Sequence, residues 1–402
     1  MKIILVHCHY KGTGGEDVVV ELERQLLERG GHQVVIFRRS NRDVDSYPGF
    51  KRLVLLQKAI WNDDERKEFA EVLRAEKPDL VHVHNTWIMI SPSIYSACRE
   101  AGVPVVKTLH NYQILCPAGT FFREGKICEE CVEHTLWRSV RYKCYRNSRA
   151  ETGGAALMLA VHRVRHTWER DVTSYVVLTE FARKKFLDGG LPAEKMFVKP
   201  NFVYPDPLPR AADGNYDAIG DGNYAIFAGR LSPEKRVSTL LNAWSHLRSY
   251  VPLVIVGGGA QREELEEEAI RNNLGMVKFT GLLPHDQTIA AIRGARFLVF
   301  SSEWYETFGL TMIEAFACGV PVICSKMGAM EEIVDEGRTG LYFKAGDSED
   351  LAEKVEWAWN HPENMRQMGQ EARREYESKY TAEKNYPQLM EIYRRAVAEN
   401  DF

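Results

Sequence analysis

The sequence has no apolar run of the roughly 18 residues needed to cross a bilayer. The opening MKIILVHCHY carries too short an apolar stretch for a secretory leader, and His7 and His9 interrupt it. Internal repeats and low-complexity tracts are missing as well. Charge of one sign does not dominate: 52 basic against 56 acidic residues leave a net charge of −4. A whole-protein field that gathers nucleic acid is therefore not expected. These absences set the expectation of a cytoplasmic protein. In such a reducing compartment the eight cysteines are expected as thiols or metal ligands rather than disulfides.

A dinucleotide fingerprint is also lacking. Gly12 and Gly14 fit the first two positions of G-x-G-x-x-G, but Asp17 stands where the third glycine belongs. Arg38 and Arg39 end the second strand, where an NAD-binding chain carries an acid. The arginines alone leave NADP open, so the glycine misfit carries the argument.

What is present is enough chain for two domains. With 402 residues, 45% of them apolar and 27% charged, each of two α/β domains can bury its own core. Short apolar strands alternate with amphipathic helices: strands at 3–6, 34–37, 80–83 and 105–109, with helices near 16–29 and 92–100. This order predicts parallel sheets covered on both faces. The pattern breaks between about 111 and 150, which reads as an insertion. A long helix over 153–170, a strand at 175–178 and another at 196–198 complete a first domain, 1–200. Pro200, Pro205, Pro207 and Pro209, with AADGNYDAIGDGN after them, read as a hinge. A second domain, 201–381, has strands at 224–228, 253–256, 277–280, 297–300 and 322–324. The final helix, about 382–402, is expected to pack back onto the first domain.

The second domain carries the most chemistry. Its first strand ends in Gly229-Arg230-Leu231-Ser232-Pro233-Glu234-Lys235, and the carboxyl ends of strands are where open α/β sheets bind ligands. Arg230, by its bidentate fork, and Lys235, as a point charge, suit a diphosphate; the alternative is two solvated cations near a helix start. Ser301–Glu314 then follows a strand and opens a helix. Free N–H groups at that start suit phosphate oxygens, and Gly309 lets the backbone come close. Glu306 in the loop and Glu314 more than a turn beyond can hold hydroxyls at opposite ends of one ligand. Dipole-favoured acids explain Glu303 and Glu306 equally well, but not the whole string.

Taken as a set, these pieces resemble the retaining glycosyltransferases of the GT-B fold, family 4 (glycosyltransferase group 1). The likeness rests on Gly229–Lys235, on the Glu306-to-Glu314 spacing with Phe308-Gly309-Leu310 between, and on Gly319-Val320-Pro321-Val322. The Gly257–Gly259 triplet and Gly281-Leu282-Leu283-Pro284-His285 fit too. It implies two Rossmann-like domains facing across a cleft, and transfer of a hexose from a UDP or GDP sugar to a saccharide or lipid-linked acceptor with retention. By the same likeness Arg230 and Lys235 neutralise the pyrophosphate, Glu314 binds the ribose, and the backbone at Gly309 and Leu310, beside Phe308, touches phosphate. Glu306 would hold the transferred sugar, and the Gly281 loop would face the base. Gly14 and Gly15 resemble the family's glycine loop. His110, closing its strand, would lie beside the reacting sugar, where it hydrogen-bonds sugar or acceptor or moves a proton. The other reading is a histidine that merely ends a strand. His110 and Glu306 are thus the expected catalytic pair. Thr307 departs from the family, which often has glycine there. The acidic metal motif of the other main transferase architecture is missing, so no catalytic metal is expected.

Cys116, Cys128, Cys131 and Cys144 lie in the irregular 111–150 stretch around a C-x-x-C knuckle, a pattern suited to a closed structural zinc site; free thiols are the alternative. Some family members of surface-polysaccharide pathways resemble this region. After it come Arg138, Arg141, Lys143, Arg146, Arg149, Arg163, Arg165 and Arg170, with Trp137 and Trp168 and only Glu151 and Glu169 opposing. This edge is expected to meet a lipid-linked acceptor at the inner face of a membrane, or else to be a solvated helix face. Two rival readings stay open: a sugar-nucleotide epimerase on the same fold, and a zinc module that binds nucleic acid.

Overall fold

The structure, a computed structural model, describes residues 1–10, 14–42, 57–208 and 222–400. Gly12 and most of the linker, residues 209–221 with Pro209, lie outside them. The chain forms two compact units. The first is Met1–Arg123, Cys128–Pro200 and Asn385–Phe402; the second is Asn201–Lys384 with Glu124–Ile127.

The first unit holds a six-stranded sheet of β1 (Lys2–His9), β2 (Gln33–Ser40), β3 (Leu80–Asn85), β4 (Val105–Thr108), β7 (Ser174–Val177) and β8 (Met196–Val198). Every pairing is parallel, in the order β2-β1-β3-β4-β7-β8. That is the flavodoxin-like order extended by a strand, not the 3-2-1-4-5-6 order of the Rossmann sheet. The order reverses between β1 and β3, so the carboxyl ends of those two strands flank the switch point.

β3 shows why the sheet is parallel and covered. All six of its residues, LVHVHN, are buried, as expected of a central strand with helices on both faces. His82 and His84 therefore face packed protein and need partners. The helix Gly15–Arg29 starts at Gly14, whose N–H donates to the Asp17 carboxylate at 2.9 Å. It buries Val19, Val20, Glu23 and Leu27; Glu23 sits in the middle of an otherwise apolar stripe. Leu389, Ile392, Tyr393 and Ala396 of the last helix, Ala382–Ala398, pack with Ile3, Leu5, Leu27, Leu80 and Val106. Each large apolar side chain so buried contributes about 1.5–3 kcal/mol.

Between β4 and β7 stand a short hairpin of β5 (Phe122–Arg123) and β6 (Lys126–Ile127) and the one-turn helices Glu130–Glu133 and Trp137–Arg141. The long helix expected over 153–170 is two helices. Arg149–Val164, capped by Ser148, ends before His166, whose φ of 52° breaks the path, and Thr167–Arg170 follows.

The second unit has its own sheet: β9 (Ala225–Ala228), β10 (Leu253–Val256), β11 (Val277–Gly281), β12 (Phe297–Phe300), β13 (Val322–Ser325) and β14 (Gly340–Phe343). Its order, β11-β10-β9-β12-β13-β14, is the Rossmann order. Here the reversal lies between β9 and β12, the strands that precede Gly229–Lys235 and Ser301–Glu306. Trp244, Leu240, Leu241, Ile255, Phe297 and Val299 belong to its core.

Candidate functional site

At the β9/β12 switch point the two motifs of the second unit meet. Lys235 reaches across to the Glu306 carboxylate. The same Glu306 Oε1 accepts from the Ser302 hydroxyl at 2.8 Å and the Trp304 indole N–H at 2.7 Å. Glu306 is buried, and Lys235 also lies over the rings of Phe300 and Trp304. Three donors on one buried oxygen fix the carboxylate firmly; a charged donor strengthens such a bond about twofold. Arg230 is exposed, and no side-chain partner is found for it among the described residues. The two expected diphosphate cations therefore differ: Arg230 stands in solvent while Lys235 is held by Glu306.

Backbone packing holds the Arg230 loop. The Gly229 N–H donates to the Val256 carbonyl at 3.0 Å, and Leu231 N–H to Gly258 at 2.9 Å. A Cβ on Gly257 would fall 1.8 Å from the Gly229 carbonyl oxygen, so only glycine permits this approach. Glu303, read from sequence as a dipole-favoured acid, is tied instead to Arg236 at 2.9 Å and to the Thr239 hydroxyl at 2.9 Å.

Gly309, at φ 92°, is the N-cap of the helix Leu310–Ala317. Phe308 is buried and packs edge-on against Tyr380, so its side chain is occupied and only its backbone is left for a ligand. Gly309 and Leu310, the first helical residue, open the helix, and the Gly309 carbonyl accepts from the Met312 N–H at 3.0 Å; N–H groups at such a helix start suit an anion. Glu314 lies in the same helix, 7% exposed. Burial without a compensating cation pushes its carboxyl up to about 7. Its neighbour is His285, with Nδ1 3.8 Å from Glu314 Oε1. Thr307 is buried.

In the first unit the sequence-predicted residues gather at the carboxyl ends of β1, β3 and β4. Gly14 and Gly15 form the start of the first helix. Asp17, read from sequence only as a misplaced glycine, accepts from His7 Nε2 and from His9 Nδ1 at 2.8 Å each. Burial pushes Glu16 up to about 8 and Lys107 down to about 8. His110 follows β4 and lines a pocket with His84, Asn85, Trp87, Lys107 and Asn111. His110 Nε2 is 2.9 Å from His84 Nδ1, and burial holds both imidazoles well below their usual range. His84 Nε2 lies 3.3 Å from Glu23, which pairs with Lys199 at 2.7 Å. Neither Glu23 nor Lys199 carries a local signal: one reads as a helix-surface acid and the other as a linker cation, 176 residues apart.

Cys116, Cys128, Cys131 and Cys144 line one small cavity with Arg123, Glu130 and Ser139. Burial, then the neighbouring thiols, push Cys131 up to about 12 and Cys144 up to about 11. On the basic edge Trp137 is 73% exposed, whereas Trp168 is 4% exposed and packs against Tyr95. Trp168 thus belongs to the core, contrary to the sequence expectation. Arg163 is half-buried and donates to the Leu115 carbonyl. Glu130 and Asp171 oppose Arg138 and Arg170, in addition to the acids noted from sequence. No helix among the described residues is long and apolar enough to cross a membrane.

Comparison with known proteins adds to this geometry. An O-antigen chain mannosyltransferase of Escherichia coli is 30% identical over 179 residues, 44% of this chain and 47% of that one. The chain spans about half the length of the curated relatives it matches at 30% identity. Sucrose-phosphate synthase of Thermosynechococcus elongatus superposes over 99% of both chains at 19% identity, with a TM-score of 0.73. Anabaena HepE in complex with UDP-glucose covers 97% of this chain and 98% of its own at 20% identity, with a TM-score of 0.66. Residues 12–206 match the model of Glycosyltransferase Family 4, and residues 213–375 match that of Glycosyl transferases group 1. With both domain types in succession on two parallel-sheet units, the chain belongs to the GT-B glycosyltransferases.

Proposed function

We propose that this protein transfers a hexose from a nucleoside diphosphate sugar to an acceptor hydroxyl, with retention, in polysaccharide or glycolipid synthesis. The observation that carries the proposal is the β9/β12 switch point. There an exposed arginine, a lysine–glutamate pair and a glycine-opened helix start converge where a Rossmann-order sheet binds its ligand. Departure of a nucleoside diphosphate builds negative charge. Arg230, Lys235 and the N–H groups after Gly309 are the groups that stabilise it. Lys235 exchanges Glu306 for phosphate as the donor enters, and Glu306 is then free to accept from a sugar hydroxyl. Glu314 takes the ribose hydroxyls. A UDP sugar is the favoured donor, because a solved neighbour binds UDP-glucose.

The acceptor is assigned to the first unit, with His110 beside its reacting hydroxyl. The basic edge with Trp137 is assigned to an anionic membrane surface carrying a lipid-linked acceptor; absence of binding to anionic vesicles at low salt refutes this part. The four cysteines suit a structural zinc ion: four soft donors around one cavity in a stretch with little core of its own.

Calorimetry with UDP, GDP, ADP and NAD, on the parent and on Arg230→Ala, tests the donor site. Binding of one diphosphate that the variant loses supports the proposal and names the base for acceptor screens. Absence of diphosphate binding by a folded parent refutes it.

A further inference from the structure

The strand β1 ends in His7-Cys8-His9, and the helix after it carries Glu16 and Asp17 in its first turn. Side chains alternate along a strand, so His7 and His9 lie on one face and Cys8 on the other. The two rings stand edge to face with centroids 4.7 Å apart. The helix start brings Asp17 to the same face, where its Oδ1 is 2.8 Å from both His7 Nε2 and His9 Nδ1. Its Oδ2 accepts from the Gly14 N–H at 2.9 Å, which fixes the aim of the carboxylate. Burial raises the Asp17 carboxyl, but the bonds from His7, Gly14 and His9 outweigh it and hold the group below its usual range. Asp17 is therefore an ionised carboxylate between two imidazoles.

Two buried atoms beside this cluster are left over. His7 Nδ1 and Glu16 Oε1 have no hydrogen-bond partner among the described residues, and at 3.8 Å they are too far apart to bond to each other. Buried polar atoms are nearly always paired. A metal ion accounts for both atoms. The three ligand atoms of His7, His9 and Asp17 lie within 4.8 Å of one another. Tetrahedral zinc bonds of 2.0–2.2 Å put ligands roughly 3.3 Å apart, so the contacts of 2.8 Å open by only about half an ångström. An ion on the His7 Nε2 lone pair leaves the ring proton on Nδ1, aimed at Glu16. Metal-bound histidines commonly face such an outer carboxylate. Two imidazoles with one carboxylate suit zinc, whereas magnesium and calcium take oxygen ligands.

We propose that His7, His9 and Asp17 bind a divalent ion of the zinc class, with Glu16 orienting His7 and the fourth position open to water or another oxygen ligand. The site lies at the carboxyl end of β1, at the switch point of the first sheet, where open α/β sheets take their ligands. Its donors are nitrogen and oxygen, which separates it chemically from the four-cysteine cavity. The His9 side chain is 39% exposed and gives the ion a way in and out. Desalted protein therefore keeps the cysteine-bound zinc and releases this ion. The proposal does not depend on the transferase reading, and its test needs no substrate.

The probe is cobalt(II) added to desalted, untagged protein. Cobalt held by nitrogen and oxygen shows visible ligand-field bands; cobalt held by cysteines adds an intense near-ultraviolet thiolate band. The parent should take up about one equivalent with the visible bands alone, and zinc should displace it. His9→Ala alters a partly exposed ring, and Asp17→Asn keeps the shape of the side chain and its contact with Gly14. Each should weaken cobalt binding about tenfold or more. The variants act on different elements, so one that fails to fold leaves the other to decide. Nitrogen-15 NMR of the histidine-labelled parent gives a reading without variants: added zinc should mark His7 Nε2 and His9 Nδ1. A folded parent that takes up no cobalt, a thiolate band in place of the visible bands, full uptake by a folded variant, or a zinc response confined to other histidines overturns the proposal.

Discussion

Replacing Glu314 by glutamine gives the most quantitative check of the second unit. Glu314 is buried in the helix Leu310–Ala317, and its carboxyl is raised from 4.5 to about 7 by desolvation. The folded state therefore prefers the protonated form. Below the unfolded value both states hold the proton and stability is at its full level. As pH rises toward 7 the unfolded chain releases its proton first, so stability falls with a slope of about 1.4 kcal/mol per pH unit. Above about 7 the loss is complete. Between about pH 5.5 and about pH 8 the contribution lost is about 2 kcal/mol. Glutamine mimics the neutral carboxyl at every pH, so Glu314→Gln should gain about 2 kcal/mol on the parent over that interval. Urea unfolding of both proteins at the two pH values measures it. Glu16 and Glu65, raised to about 8 and about 7, titrate in both proteins and cancel in the difference. A ligand whose ribose hydroxyls donate to Glu314 prefers the ionised form. The affinity of the parent for UDP should thus rise with pH up to about 7, by at most about tenfold per unit, and that of the variant should not. Parallel stability curves would refute the burial argument, and parallel affinity curves the ribose assignment.

Three further outcomes are expected. Gly309→Ala forces a side chain to φ 92° and a Cβ to within 2.5 Å of the Met312 Cε; since that methyl can move, the cost is the backbone strain of about 1–2 kcal/mol, read by urea unfolding together with weaker UDP binding. Glu306→Gln removes the charge that holds Lys235 and weakens three hydrogen bonds; turnover should fall about 100-fold or more with a smaller change in UDP affinity, as measured by initial rates and calorimetry. Cys131→Ser should reduce zinc content from about one equivalent per chain to near none and lower the melting temperature, and a chelator should do the same to the parent; metal analysis that finds no zinc in the parent refutes the site.

Much of the second unit was legible because its chemistry is contiguous. β9, β10 and β12 are four-residue apolar runs that end in glycine or serine, and the residues after β9 and β12 form unbroken motifs. β14 escaped because Gly340–Phe343 looks like any short apolar run, and only its pairing with β13 makes it a strand. The first unit was harder to read. His110 was singled out by its place at a strand end, and it lines the pocket there. The buried Glu23–Lys199 pair near His84 was not, since Glu23 sits in a polar helix sequence and Lys199 in an approach to prolines. Three-dimensional packing brings them together, and no spacing announces it. Trp168 failed for the opposite reason: an aromatic among arginines reads as surface, yet the turn at His166 carries it into the core beside Tyr95.

The Glu23–Lys199 pair also poses an energetic question that separates function from stability. Two ions with no exposure forgo hydration worth several kcal/mol each, and apolar residues in such places are often neutral or stabilising. If the pair existed to hold the last helix in place, leucine and methionine there would do as well. Losing one partner is different, because it strands a buried charge. Lys199→Met alone should therefore cost about 3–5 kcal/mol, and Glu23→Leu with Lys199→Met markedly less than the two single changes added. The double variant also removes the carboxylate 3.3 Å from His84 Nε2, so turnover should fall even where stability recovers. Urea unfolding of the four proteins of this cycle, beside their initial rates, measures both. A double variant that is as unstable as the sum of the single ones would mean that the two charges contribute independently and not as a pair. Recovered stability without turnover would tie the buried charges to the pocket beside His84 and not to stability.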